Sequence, residues 1–390
     1  VTKILATGDL HLHEWPGLAP VDRLADQETV LDRIVDLARQ HGVDAVLIAG
    51  DVFHRPQPSP RVLQAFRRFA GELAHYGREV VAITGNASHD IENADRFCAL
   101  ELFDDIVSVH RTPGVWLGPG VEVACLPSVP VARLVAMYGG GDRDELNADA
   151  ADLLLRVAAD LRAQIREFPA ILLGHWSVSG ASFPNGLPVD AAREPVIPAD
   201  GLADLGFDYT VFGHIHKAQE IPDGFYVGSP MPLDFGEAGI GNHGVFILDT
   251  NEREVVDAKG AQFVPIESRR FVTLDLDADD LAGDVVKLYN GDGTVELEDA
   301  IVRVRYTATA EQARGIDNAD IRATLVDAGA ARVTIEPDIV REDRARVQGL
   351  DDQLGELDAV DMYVSAQEWE SERADRLRTV TGELLEGASA

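Results

Sequence analysis

The sequence predicts an α/β protein in which short buried strands alternate with amphipathic helices over residues 1–264, building a sandwiched mixed sheet flanked by helices. Three observations carry that class. Five apolar runs of strand length lie at 3–7, 45–49, 79–84, 170–173 and 209–212. Segments between the strands repeat apolar residues at helical spacing. Each of the five runs also ends in metal-binding residue types: Asp9-Leu10-His11, Gly50-Asp51, Gly85-Asn86, Gly174-His175 and Gly213-His214-Ile215-His216.

In chain order, the first strand leads to a helix over 26–40, where Val30, Leu31, Ile34, Leu37 and Ala38 share one face. After the second strand, Ser59 and Pro60 supply an N-cap and a first-turn proline for a helix that turns Leu63, Phe66, Phe69, Ala70 and Leu73 inward. A strand at 122–126 and an Ala/Leu-rich helix over 148–167 precede the fourth metal-type run. Strands at 225–228 and 245–249, separated by a Gly/Pro-rich loop, complete this part. From 265 to 342 the texture changes. Alternation and β-branching predict strands at 271–276, 301–306 and 332–335, with a helix between the first two and another over 318–328, a compact α+β domain. An acidic helical tail follows over 343–390, with Leu350, Leu354, Leu357, Val360 and Val364 recurring every three to four positions. That stripe reads as either a solvated acidic helix or a face that docks on a partner.

At 390 residues the chain exceeds the usual size of a single core, about 250–300 residues, which agrees with this division. Its net charge is −33, and its only lysines are Lys3, Lys217, Lys259 and Lys287. Diffuse electrostatic attraction to nucleic acid is thereby excluded, so any phosphate contact has to come from local arginines, bound metal or a partner. Cys98 and Cys125 give no disulfide framework. No apolar run reaches the ~20 residues that span a bilayer, and the first residues enter a strand without a basic leader, so the cytoplasm is the expected compartment and no membrane partner is expected.

Strand ends in an α/β sheet gather at one edge, where ligand sites form. Two Asp, one Asn and four His can therefore meet although the sequence scatters them. Two divalent cations about 3.5–4 Å apart can drive in-line displacement at phosphorus, and they need a shared anionic bridge with neutral ligands on each side. Asp51 suits the bridge. Asp9, His11 and one of the terminal histidines complete one shell, and Asn86, His175 and the other histidine complete the second. Mixed His, Asp and Asn ligation without Cys favours Mn²⁺, then Fe²⁺ or Zn²⁺, over Mg²⁺.

The series Gly8-Asp9-Leu10-His11, Gly50-Asp51-Val52-Phe53-His54, Gly85-Asn86 with His89-Asp90, Gly174-His175 and Gly213-His214-Ile215-His216 resembles the calcineurin-like metallophosphoesterase superfamily. Within it the chain is most similar to the Mre11/SbcD nuclease branch, through Phe53-His54-Arg55-Pro56, Gly228-Ser229-Pro230, Phe235-Gly236-Glu237 and the trailing αβ domain. The resemblance covers residues 1–340. It implies a four-layered metallophosphoesterase β-sandwich flanked by helices, a small αβ capping domain and a C-terminal helical tail. It also implies one metal on Asp9, His11, Asp51 and His216, and the other on Asp51, Asn86, His175 and His214.

By the same resemblance His89 is the catalytic histidine and Asp90 orients it. The family usually reads Gly-Asn-His-Asp, whereas here Ala87 and Ser88 are inserted and must bulge outward for His89 to serve. Weaker candidates for substrate contact are His54, Arg269 and Arg270, with Arg303 and Arg305 beside them. His13 is weaker still, and His41, His75, His110 and His243 read as ordinary solvated side chains. The implied function is a manganese-dependent 3′→5′ exonuclease and single-strand endonuclease at DNA ends, working with a Rad50/SbcC-type ATPase that the tail grips. The branch tends to dimerise through helices such as 56–69. Two alternatives stand beside it: a small-molecule phosphodiesterase or phosphatase of the same superfamily, and a catalytically weakened scaffold protein for a DNA-processing ATPase.

Overall fold

A computed structural model describes residues 2–92, 97–118, 120–130, 143–166, 169–191, 194–222, 224–239, 241–250, 261–278, 281, 297–340, 356–366 and 371–388. The chain opens with β1 (Lys3–Thr7), α1 (Arg23–Gln40), β2 (Ala45–Ile48), α2 (Pro60–His75) and β3 (Glu79–Ile83). Next come β4 (Ser108–His110), β5 (Gly114–Gly118), β6 (Val121–Leu126), α3 (Arg143–Gln164) and β7 (Ala170–His175). After α4 (Ala199–Ala203) follow β8 (Tyr209–Gly213), β9 (Gln219–Ile221), β10 (Gly224–Tyr226), β11 (Gly244–Asp249) and β12 (Ala261–Pro265).

Helix starts follow side-chain caps. Ser59 accepts a hydrogen bond from Val62 N at 3.3 Å and Pro60 opens α2, as its sequence predicts. Asp22 accepts from Ala25 N at 3.2 Å, so α1 begins at Arg23, ahead of the predicted Asp26.

Two six-stranded sheets stack face to face. One runs β12-β11-β1-β2-β3-β4, with β1 to β4 mutually parallel; the other runs β9-β10-β8-β7-β6-β5, with β6, β7, β8 and β10 parallel. Strand alternation divides the core. Ile4, Ala6, Leu47 and Ile83 meet Val123, Ile171, Leu173, Val211 and Phe225 between the sheets. Leu5, Val46, Ile48 and Ala82 turn the other way, onto α1 and α2. Leu126, Leu172 and Phe212 face Leu154, Ala158 and Leu161 of α3. The result is helix, sheet, sheet, helix. Each fully buried Leu, Ile, Val or Phe contributes about 1.5–3 kcal/mol. Because the parallel strands share direction, the ends of β1, β2, β3, β7 and β8 emerge at one edge.

The C-terminal part has its own three-stranded parallel sheet, β13 (Phe271–Asp277), β14 (Ile301–Thr309) and β15 (Arg332–Val340), with α5 (Ala310–Gly315) and α6 (Asn318–Asp327). Leu274, Val302, Val304, Ile321 and Leu325 form its separate core. The helix expected between β13 and β14 lies largely outside the described residues, as do Leu350 and Leu354 of the tail stripe. The tail's described portion holds α7 (Glu356–Ala366) and α8 (Ser371–Ala388), linked by an Arg378–Asp361 ion pair, with Val364 and Ala374 buried. Among the described residues no helix is long and apolar enough to cross a membrane. Cys98 and Cys125 are free and buried.

Candidate metal centre

The loops leaving the strand ends are held in uncommon backbone conformations. Asp9, His11, Asp51 and His214 have φ of 49°, 43°, 49° and 93°, a left-handed region that non-glycine residues occupy only when their surroundings impose it. The first two loops are laced together: Asp9 N donates to Gly50 O, and His11 N to Asp51 O, both at 3.0 Å. The glycines beside Asp51 and Asn86 are packing requirements. A Cβ on Gly50 would fall 2.4 Å from His175 Nδ1, and one on Gly85 would fall 2.1 Å from Asp51 Oδ1.

All seven expected ligands come together. His11 Nε2 lies 3.0 Å from His216 Nε2 and 3.5 Å from Asp51 Oδ2, and Asp9, His11 and His216 form one compact donor group. On the other side of Asp51, its Oδ2 is 3.4 Å from both His175 Nε2 and Asn86 Nδ2, and Asn86 Nδ2 is 3.1 Å from His214 Nδ1. Asp51 thus borders both groups. Backbone amides orient the carboxylates: Asn86 N donates to Asp51 Oδ1 at 2.6 Å, and His214 N donates to both Asp9 oxygens at 2.9 and 3.1 Å. His175 Nδ1–H donates to Ala49 O at 2.7 Å, which leaves Nε2 buried and without a hydrogen-bond partner. A buried orphan imidazole nitrogen facing a buried carboxylate, within a set of His, Asp and Asn donors, fits two divalent cations sharing Asp51.

The electrostatics agree with this. Burial alone would raise Asp51, yet His175, His11 and His89 hold it well below the usual carboxylate range. Burial raises Asp9 despite the pull of His216 and His175. It would lower His175 and His216, but Asp51 and Asp9 at the former, and Glu237 and Asp9 at the latter, carry both to about 9. Both rings therefore hold an extra proton at pH 7 in the metal-free protein, and a cation must displace it. Manganese uptake is expected to release about two protons per protein near pH 7 and to tighten as pH rises towards 9. Calorimetric titration in buffers of different ionisation enthalpy measures this; an affinity flat between pH 6 and 9 would count against the assignment.

Several residues that complete the centre carry no sequence signal of their own. Glu194 Oε1 receives His214 Nε2–H at 2.9 Å and Ser177 Oγ–H at 2.5 Å. Glu237 Oε1 receives His216 Nδ1–H at 2.6 Å. Carboxylates on the far nitrogen of a ligating histidine set its tautomer and orientation. Glu237 lies in the Phe235-Gly236-Glu237 stretch already noted as a family mark, but nothing there indicates this task. Gln27 steadies the first loop, donating to Leu10 O at 3.2 Å and His11 O at 3.0 Å and accepting from His13 N at 3.0 Å.

His89 enters the site despite the insertion. Asn86 O accepts from His89 N at 2.9 Å and from Asp90 N at 3.1 Å, so Ala87 and Ser88 form a single tight turn. The His89 ring stands 4.6 Å from that of His11, and its Nδ1–H donates to His54 O at 2.8 Å. Asp90 does not orient it. That carboxyl is fully buried and accepts instead from Gly85 N at 2.8 Å, Phe53 N at 3.1 Å and Val52 N at 3.4 Å, bracing two strand ends. Burial, with Asp51 adding to it, pushes Asp90 up to about 7. His54 lies 5.7 Å from the His11 ring in an aromatic group with His13 and Trp15, and burial lowers it to about 4. Trp15 belongs to no motif. A cavity of about 410 Å³ opens on the opposite side, lined by Asn86, Ser88, His175, Trp176, Glu194 and His214 among others.

The arginines expected to meet substrate are mostly engaged elsewhere. Arg269 binds Asp26 at 2.8 and 3.0 Å and also Asp299, joining the third sheet to α1. Strand register sets Arg305 opposite Asp275, which it binds at 2.7 Å, and Arg303 opposite Thr273, which it binds at 3.2 Å. Arg270 is exposed, with its carbonyl accepting from Ile301 N. His243, expected to be solvated, has Nδ1 3.1 Å from Ser229 O, and His110 is half-buried, with its pKa lowered by that burial.

The calcineurin-like phosphoesterase family model matches residues 2–218. The chain is 30% identical to the SbcD component of the SbcCD nuclease of Escherichia coli (strain K12) over 260 residues, covering 61% of this chain and 62% of that protein. It is 28% identical over 271 residues to the protein of the same name from Bacillus subtilis (strain 168), covering 65% and 67% respectively. Against DNA double-strand break repair protein Mre11 of Methanopyrus kandleri the identity is 25% over 382 residues, 91% of this chain and 74% of that one. The match to the Escherichia coli relative thus spans about three fifths of that protein's length. Since the family match takes in more than half of the chain and ends just past the last histidine of the centre, this chain belongs to the calcineurin-like phosphoesterase family.

Proposed function

We propose that this protein is a DNA phosphodiesterase with two manganese ions, acting at DNA ends as a 3′→5′ exonuclease and single-strand endonuclease alongside a Rad50/SbcC-type ATPase. The observation that carries the reading is the meeting of Asp9, His11, Asp51, Asn86, His175, His214 and His216 around one shared carboxylate. Bound there, two cations supply Lewis-acid stabilisation of the charge that develops on a phosphoryl group under in-line attack. Asp51 holds both halves in register, and Glu194 and Glu237 fix the rings of His214 and His216. With its Nδ1–H committed to His54 O, His89 exchanges protons through Nε2 alone, which suits a general acid for the departing oxygen. His54, His13 and Trp15 offer aromatic faces next to that position, surfaces on which a base can stack.

The relatives named as components of a nuclease support a nucleic-acid substrate, and the relative named for DNA double-strand break repair supports DNA. The charge of −33, together with arginines already paired within the protein, supports weak DNA affinity for the chain alone and dependence on the ATPase. The C-terminal sheet is assigned as the cap over the site, and the α7–α8 tail as the grip on the partner.

The test is digestion of end-labelled duplex and single-stranded DNA with manganese, with and without the ATPase, beside cyclic nucleotides and phosphopeptides. Shortened DNA is expected, faster with the partner. DNA left intact in the full complex while a small diester is hydrolysed would overturn the assignment.

A further inference from the structure

We infer that Glu237 is a positioning residue for His216, and that the C-terminal sheet holds it in place through Phe235. Cation affinity on the His216 side of the centre then depends on how that sheet is seated. The inference rests on the reading that His216 holds a cation.

Glu237 is only 5% exposed and has both oxygens engaged. Oε1 receives His216 Nδ1–H at 2.6 Å, while Oε2 receives Leu233 N–H at 2.9 Å and Ser229 Oγ–H at 3.2 Å. A carboxylate tied to Leu233 N and Ser229 Oγ within its own loop has little freedom of its own, so where the loop goes, Glu237 goes. With Nδ1 committed, Nε2 is the nitrogen His216 offers, and it is the one 3.0 Å from His11 Nε2.

The loop is anchored in the sandwich core by Met231 and Leu233 and is also held from the third sheet. Two residues before Glu237, Phe235 packs edge-on against Phe271 of β13, with ring centroids 4.9 Å apart. The guanidinium of Arg303, on β14, lies 4.4 Å from the Phe235 centroid. At the loop's other end Pro232 O accepts from Arg23, a fully buried arginine whose guanidinium stands 5.0 Å from the Phe271 centroid. Arg23 also binds Asp26 at 3.1 Å, the same carboxylate that Arg269, two residues before β13, binds at 2.8 Å. Cation–ring contacts are weak singly but fix the relative placement of their partners, so a shift of the third sheet changes where Phe235 sits.

The other half of the centre is braced differently. Glu194 holds His214 from a loop tied to Ser177 within the sandwich, and among the described residues no residue of the third sheet is one of its hydrogen-bond partners. The two cation positions therefore differ: the His216 side is supported by the core through Ser229 and Leu233 and, in addition, by the C-terminal sheet through Phe235.

The experiment is calorimetric Mn²⁺ titration of the full chain. Wild type is expected to take up two equivalents. Glu237→Gln should weaken one of them roughly 10- to 100-fold, the usual consequence of losing such a partner. Phe235→Ala, which removes no ligand, should weaken the same equivalent roughly 2- to 30-fold. The double variant should be little worse than Glu237→Gln alone, because both changes act through one link. Glu194→Gln should weaken the other equivalent. Circular dichroism checks folding, and Phe235→Leu and Arg303→Gln replace Phe235→Ala if it unfolds. Phe235 and Arg303 variants that bind two equivalents with wild-type affinity, or that weaken both equally, would overturn the coupling. Wild type taking up no manganese would instead remove the reading beneath it.

Discussion

Asp51→Asn is expected to abolish binding of both cations at once and to lower phosphodiester hydrolysis by at least roughly 10³-fold, above the cost of losing a single preorganised electrostatic contact. The asparagine keeps the shape and can still accept from Asn86 N through its amide oxygen, so the loops at the ends of β2 and β3 stay joined. What disappears is the carboxylate charge that stands between the two donor groups, 3.5 Å from His11 Nε2 and 3.4 Å from His175 Nε2. Replacing a residue from one group alone, such as His11 or Asn86, should leave one equivalent bound. Metal analysis after dialysis, together with the hydrolysis rate, distinguishes these cases. If Asp51→Asn retained one tightly bound ion, the shared-carboxylate geometry would be the wrong description.

His89→Ala is the complementary case: kcat falls by roughly 10²- to 10⁴-fold, the range for a lost general acid, with both cations still bound. The contrast follows from contacts, since His89 bonds to His54 O rather than to any of the seven converging side chains. Deleting Ala87 and Ser88 should also reduce turnover. Asn86 O now accepts from His89 N and Asp90 N across that turn, and Asp90 braces Gly85 N and Phe53 N from its far end. A deletion variant faster than wild type would show that the insertion obstructs catalysis and would favour the scaffold alternative. Single-turnover rates at saturating manganese provide the measurement.

Much of this architecture was legible in the residues. The runs ending at Thr7, Ile48, Ile83, His175 and Gly213 are almost wholly apolar because their strands are buried on both faces, and that signal needs no knowledge of neighbours. The cap at Ser59-Pro60 was equally local. Less legible were β4, β5 and β12, short strands along the sheet rims whose residues are largely half-exposed and carry little apolar alternation. The arginines misled for a similar reason: Arg305 meets Asp275, and Arg303 meets Thr273, only through the parallel register of β13 and β14.

The sequence by itself determined the fold class, the strand ends and the seven side chains that meet there, because each depends on short-range pattern and on glycines that permit close approach. Only the tertiary structure decided that Asp90 braces the backbone, that Glu194 and Glu237 steady the histidines, and that Arg269 joins two parts of the protein. Those roles belong to hydrogen bonds and ion pairs between residues far apart along the chain, as with Arg269 and Asp26 across 243 positions, and their geometry exists only once the chain has folded.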